Sequence, residues 1–172
     1  MALTLLRHTR LDVPAGTCYG ISDLALAPSF DEEASALLPT LPPFDRIVTS
    51  PLSRCRRLAK FIAEHTSCGV TQDARLTEMD FGRWEGRPWS GIPRPEIDAW
   101  AADFLHARPH GGESVAMLRA RALQVLSDYR RHPDDILIVT HAGVIKAALA
   151  ADETAESHAI QIDFGGFVTL TD

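Results

Sequence analysis

Apolar and polar positions divide this chain into two alternating kinds of segment. Short, nearly unbroken apolar runs occur at Leu3-Thr4-Leu5-Leu6, Arg46-Ile47-Val48 and Ile136-Leu137-Ile138-Val139, each bounded by polar or turn-forming residues. Runs of this length predict strands buried on both faces, as in a parallel sheet. Gly69-Val70-Thr71-Gln72 starts a further short strand. Between them, segments 31–38, 52–65, 114–130 and 143–150 read as helices, and in 114–130 the residues Val115, Leu118, Ala122, Val125 and Leu126 recur on one face. Ser29 is placed to cap the first helix. Ser50 and Pro51 are expected to open the second, as N-cap and first helical residue. Residues 10–28 read as a loop, and 80–112, which hold all three tryptophans, are the least regular part. The tail from Ala159 to Thr169 alternates around Phe164-Gly165-Gly166 and predicts a terminal hairpin. Its apolar edge would close the sheet or pair across a homodimer. Strand and helix alternate throughout, so the predicted class is α/β with a mostly parallel sheet.

Composition narrows the function rather than the fold. At 172 residues the chain is long enough to bury a real core. No repeat or linker divides it, so residues 1–172 read as one domain. A net charge of −6 argues against nucleic acid or an anionic membrane as partner. No apolar run approaches membrane-spanning length, and the first strand begins at once, so a soluble cytoplasmic protein is expected. Cys18, Cys55 and Cys68 show no metal-ligand spacing and read as reduced thiols.

In parallel sheets, ligands bind beyond the carboxyl ends of the strands. The first apolar run ends in Arg7-His8-Thr9 and the last in Thr140-His141-Ala142-Gly143. The middle one ends in Thr49-Ser50-Pro51, with Arg54 in the first turn of the helix that follows. If these ends are neighbours, Arg7, His8, Arg54 and His141 converge, two permanent cations and two imidazoles with no carboxylate among them. A phosphoryl group matches that set. Phosphoryl transfer then needs an imidazole nucleophile, His8 or His141, with the arginines on the equatorial oxygens and the second histidine, protonated, as a further donor. Glu78, just beyond a short strand, is the candidate acid, since a carboxylate beside a phosphate dianion is driven to take up a proton. One Arg-His pair after a strand is ordinarily structural, and a lone glutamate is ordinarily solvated. Two histidine turns and an arginine helix on one sheet edge outweigh that. His65, His106, His110, His132 and His158 read as surface or loop residues. The tryptophans read as packing, although Trp84 or Trp89 would offer a flat base a stacking surface.

With these residues in place, the chain resembles the histidine phosphatase superfamily, of phosphoglycerate mutase-like fold. Arg7-His8-Thr9 is similar to its Arg-His-Gly signature and Thr49-Ser50-Pro51-Leu52-Ser53-Arg54 to its second arginine motif. Glu78-Met79-Asp80-Phe81-Gly82-Arg83-Trp84-Glu85-Gly86, Gly111-Gly112-Glu113-Ser114 and Val139-Thr140-His141-Ala142-Gly143 follow in the family's order. The resemblance implies a three-layer α/β/α sandwich with 80–112 as a small cap. It makes His8 the phosphorylated nucleophile, places Arg7, Arg54 and His141 around the phosphate, and gives Glu78 the role of acid and then base. It requires no metal and no cofactor. Cys18-Tyr19-Gly20-Ile21-Ser22-Asp23-Leu24 together with 78–86 is most similar to α-ribazole phosphatases, which remove the 5′-phosphate of α-ribazole phosphate during cobalamin assembly. The expected partner is thus a small phosphomonoester. The rival readings are a broad-specificity sugar or nucleotide phosphatase and, in another class, a non-catalytic phosphate-ester binder. Thr9 replaces the family's glycine, and Arg10 to Pro14 lacks its phosphate-contacting asparagine. The hydroxyls of Thr9 and Ser22 are expected to replace that contact.

Overall fold

Alternate residues of the apolar runs point into two different cores, which is why the runs carry no polar alternation. The computed structural model describes residues 1–171. Five strands, β1 (Ala2–Arg7), β2 (Arg46–Thr49), β3 (Val70–Gln72), β4 (Ile136–Thr140) and β5 (Phe167–Thr171), form one sheet in the order β3-β2-β4-β1-β5. The first four run parallel, and β5 is antiparallel to β1. The helices are α1 (Phe30–Leu37), α2 (Ser53–Thr66), α3 (Arg94–Ala102), α4 (Val115–Tyr129) and α5 (Ala142–Leu149). Leu3, Leu5, Ile136 and Ile138 pack with Leu118, Ala122 and Val125 of α4 and with Val144 and Ile145 of α5. Leu6, Ile47, Leu137 and Val139 pack on the other side with Phe30 and Ala34 of α1 and Leu58, Ala59 and Ile62 of α2. The result is the expected α/β/α sandwich. Each fully buried aliphatic contributes roughly 1.5–3 kcal/mol, so β4, buried along its whole length, anchors both layers.

Register decides what happens at the sheet's carboxyl edge. Arg7 pairs with Thr140, and Thr49 with Val139. The His8 N–H donates to the Thr140 carbonyl (3.1 Å) and the Ser50 N–H to the Val139 carbonyl (2.9 Å), so the ladder carries one residue past each strand. His8, Ser50 and His141 therefore leave the sheet side by side.

Residues 80–112 hold more order than their composition predicts. The helix α3 follows Pro93 and carries Pro95 near its start, where a missing N–H costs nothing. Trp84, Cys18 and Ile92 make a third small core, with Phe81, Ile97 and Trp100 against it. Backbone bonds from Cys18 to Arg87 and from Trp89 to Gly16 fasten this segment to the loop after β1.

Two expectations are corrected. The terminal hairpin does not form: residues 159–163 are not a strand, and β5 takes β1 as its partner, with Phe167 opposite Leu6. The alternation correctly marked a half-buried strand, but a partner from the other end of the chain leaves no local trace. The second helix starts at Ser53, after Leu52 rather than Ser50. Asp23, from the loop after β1, accepts the Ser53 N–H (2.8 Å) and hydroxyl (2.7 Å), so a distant carboxylate already sits at that helix end. Among the described residues no helix is long and apolar enough to cross a membrane.

Candidate active site

The strand ends bring Arg7, His8, Arg54 and His141 together, with the two imidazole centroids 5.3 Å apart. His8 is buried, and its Nδ1 lies 2.7 Å from the Thr9 carbonyl. A carbonyl only accepts, so Nδ1 carries the proton and Nε2 keeps its lone pair. Burial lowers the His8 pKa to about 3; the Thr9 carbonyl opposes this, and the charges of Arg54 and Arg7 add to the lowering. His141 is held well below the ordinary histidine range by the same burial, then by Arg54 and by His8. Its Nδ1 accepts from Arg54 Nε (3.3 Å), so its Nε2–H donates to Ser50 Oγ (2.8 Å). The expected protonated donor is thus a neutral imidazole here, because a second charge beside Arg54 inside the protein is too costly. Ser50 Oγ also accepts the Leu52 N–H (3.3 Å), just before the helix begins at Ser53.

Arg54 is wholly buried, and its guanidinium is spread over three acceptors. Besides His141, it donates through Nη1 to the Ser22 carbonyl (2.7 Å) and through Nη2 to the Gly20 carbonyl (2.5 Å). Arg7 donates to the Ile162 carbonyl (2.7 Å) and lies over the Phe164 ring, 3.7 Å from its centroid. Arg7 Nε is buried without a partner. Glu78 is brought in by a short crossing from the 74–76 turn. One carboxylate oxygen accepts the Met79 N–H and the other the Gly143 N–H, both at 2.9 Å. An added Cβ at Gly143 would overlap that carboxylate, so glycine is what lets α5 approach it. Arg121, bidentate on Glu113 (2.7 and 2.8 Å), holds the backbone on both sides through the carbonyls of Thr77 and Glu78.

A cleft of about 640 Å³ opens over these groups, walled by Arg7, His8, Glu78, Tyr19, Trp89 and Phe164. Arg54 and His141 are buried next to His8 and add no exposed surface to that wall. Thr9 is buried with its hydroxyl unpartnered. Ser22 meets Arg54 through its carbonyl, while its hydroxyl donates to Glu85 (2.6 Å). Trp84 is a core residue bonded to Glu96 (2.6 Å), leaving Trp89 as the tryptophan in the cleft wall. His110 and His158 are buried rather than on the surface, packed against Trp84 and Phe104 respectively. Sequence reasoning missed Asp23, Ser50 as a histidine partner, Glu85, Arg121 and Phe164. Glu85 and Glu113 sat within the motifs, but no spacing rule gives a motif carboxylate its distant partner.

The model of the histidine phosphatase superfamily (branch 1) matches residues 3–165. The adenosylcobalamin/alpha-ribazole phosphatase of Salmonella typhimurium is 30% identical over 158 residues, covering 87% of this chain and 78% of that protein. The alpha-ribazole phosphatase structure from Shigella flexneri superposes with a TM-score of 0.83 at 29% identity, over 98% of this chain and 89% of that one. A mycobacterial glucosyl-3-phosphoglycerate phosphatase in complex with VO3 gives a TM-score of 0.84 at 26% identity, over 99% and 92%.

Proposed function

Because this chain belongs to the histidine phosphatase superfamily, branch 1, and is a phosphatase of small phosphate esters, we propose that it acts through a phosphohistidine on His8, without a metal, on α-ribazole 5′-phosphate. The observation that carries the chemistry is the His8 tautomer. With Nδ1–H committed to the Thr9 carbonyl and the ring neutral, Nε2 presents a lone pair beside two guanidinium groups.

In the first step Nε2 attacks phosphorus, the P–O bond to the leaving group breaks, and Glu78, entering as the acid, gives its proton to the departing oxygen. Arg7 and Arg54 hold the equatorial oxygens, where charge is spread in a loose transition state. In the second step Glu78, now a carboxylate, takes a proton from water as that water attacks the phosphohistidine, the P–Nε2 bond breaks to restore neutral His8, and inorganic phosphate leaves. Its backbone N–H partners at Met79 and Gly143 keep both carboxylate oxygens oriented throughout.

The substrate reading is supported by the names borne by the Salmonella and Shigella relatives, and by aromatic walls at the mouth of the cleft. Trp89, 37% exposed, is the surface on which a flat base would stack. The cap segment 80–112 forms the leaving-group half of the cleft in this reading. The mycobacterial relative favours a second substrate class, bulky sugar-acid phosphates.

One panel separates these readings: phosphate release, in chelator, from α-ribazole 5′-phosphate, sugar phosphates, phosphoglycerates and nucleotides. A kcat/KM for α-ribazole phosphate several orders above the rest is expected. Trp89→Ala should lower it while sparing glycerol phosphate. Comparable slow rates on every ester would retain the phosphatase and discard the substrate. A His8→Ala protein that keeps its parent's rate would overturn the mechanism.

A further inference from the structure

Glu85 lies on the cap side of the cleft and touches none of the four convergent side chains, yet its carboxylate is the most heavily engaged acceptor near them. It accepts the N–H groups of Gly20 (2.9 Å), Ile21 (3.1 Å) and Ser22 (3.4 Å), the Ser22 hydroxyl (2.6 Å), and the N–H of Phe81 (3.1 Å). The Ile21 N–H and the Gly20 carbonyl share one peptide plane and face opposite ways, so the amide turned toward Glu85 sends that carbonyl to Arg54 Nη2, while the Ser22 carbonyl, which closes the run of three amides, takes Nη1. Arg54 in turn donates Nε to His141. Asp23 fixes the far end of the same turn on Ser53, one residue before Arg54. At Gly20 an added Cβ would overlap the Met79 carbonyl, so the turn is pressed against the segment that carries Glu78.

We propose that Glu85 is a positioning residue for Arg54: it shapes the 20–22 turn so that two of its carbonyls set the plane of the guanidinium that grips the phosphoryl group. A free arginine side chain has four rotatable bonds, and a planar fork binds oxyanions well only in one orientation. The turn supplies that orientation from outside the site, through backbone groups that an arginine-only motif does not contain. This rests on the phosphatase reading above, because it assigns Arg54 to the phosphoryl oxygens.

The test is a double-mutant cycle among parent, Glu85→Gln, Arg54→Lys and the double variant, read by vanadate affinity and by kcat/KM. Gln keeps the size of Glu85 but sets an amide against the row of N–H donors. Glu85→Gln is expected to weaken vanadate binding at least tenfold and lower kcat/KM by about 10²-fold, the scale of a misplaced catalytic group. Lysine cannot span both carbonyls and His141. In the Arg54→Lys background the same change should therefore alter vanadate affinity by no more than about 2-fold. Equal fold-losses in both backgrounds would overturn the proposal and leave Glu85 as a holder of the fold. If Glu85→Gln does not fold, Ser22→Ala, which removes one bond of the five, takes its place, with a smaller loss and the same dependence on Arg54. A parent enzyme inert toward every ester would contradict the phosphatase reading, while vanadate affinity across the four proteins would still report whether Glu85 acts through Arg54.

Discussion

In the proposed reaction His8 draws its nucleophilicity from the unequal fates of its two ring nitrogens, one tied to the next residue's carbonyl and one left bare. The same burial that keeps the ring neutral carries a stability signature. Its pKa is about 3 in the folded chain against the ordinary 6.5, so between these values the unfolded chain binds the extra proton. Folding is therefore favoured above pH 6.5, and that contribution is lost as pH falls toward 3. Between pH 7 and pH 5 the penalty from His8 alone is about 2 kcal/mol, and His141 adds in the same direction. Urea unfolding at both pH values should show His8→Gln losing less stability on acidification than the parent. An unchanged difference would mean that His8 is protonated or exposed in the folded protein.

At the scale of elements, the site is made where helices and turns approach strand ends closely, and Gly143 is the approach that meets the Glu78 carboxylate itself. An alanine there favours the α5 helix by up to about 1 kcal/mol, yet its Cβ would meet the Glu78 carboxylate. A carboxylate is the end of a flexible side chain and moves aside at little cost. Gly143→Ala is thus expected to melt within a few degrees of the parent while kcat falls by about 10²-fold. A large drop in melting temperature with kcat intact would show the contact to be structural. Most strands and helices were legible, because each is specified by its own local period: β2 and α4 run nearly as read, whereas α3 lay in a segment read as irregular. The start of α2 was not legible either. Ser50-Pro51 reads as an opening cap, but Ser50 is drawn to His141, 91 residues away, and Asp23 takes over the helix end. Only tertiary contact shows that one serine serves both His141 and the neighbouring Leu52 N–H while the helix starts beyond it.

Across the whole molecule, an acidic chain concentrates two buried or half-buried arginines and two neutral imidazoles at one edge of its sheet. Arg7, His8, Arg54 and His141 were readable as a set because each follows a strand and parallel strands end on one side. Their depth was not readable: that Arg54 and His141 are fully buried, and that Glu85 and Asp23 hold the turn that holds Arg54, depends on contacts between segments 30 and more residues apart. The tail shows the same limit, since its strand was visible and its partner β1 was not.

The most direct test is to mix enzyme with a phosphomonoester, quench within one turnover into alkaline denaturant, which preserves phosphohistidine, and map the modified peptide by mass spectrometry. A phosphoryl group on His8, absent in His8→Ala and longer-lived in Glu78→Gln, is the expected result. Turnover with no phosphorylated histidine, or with the phosphoryl group on His141, would contradict it.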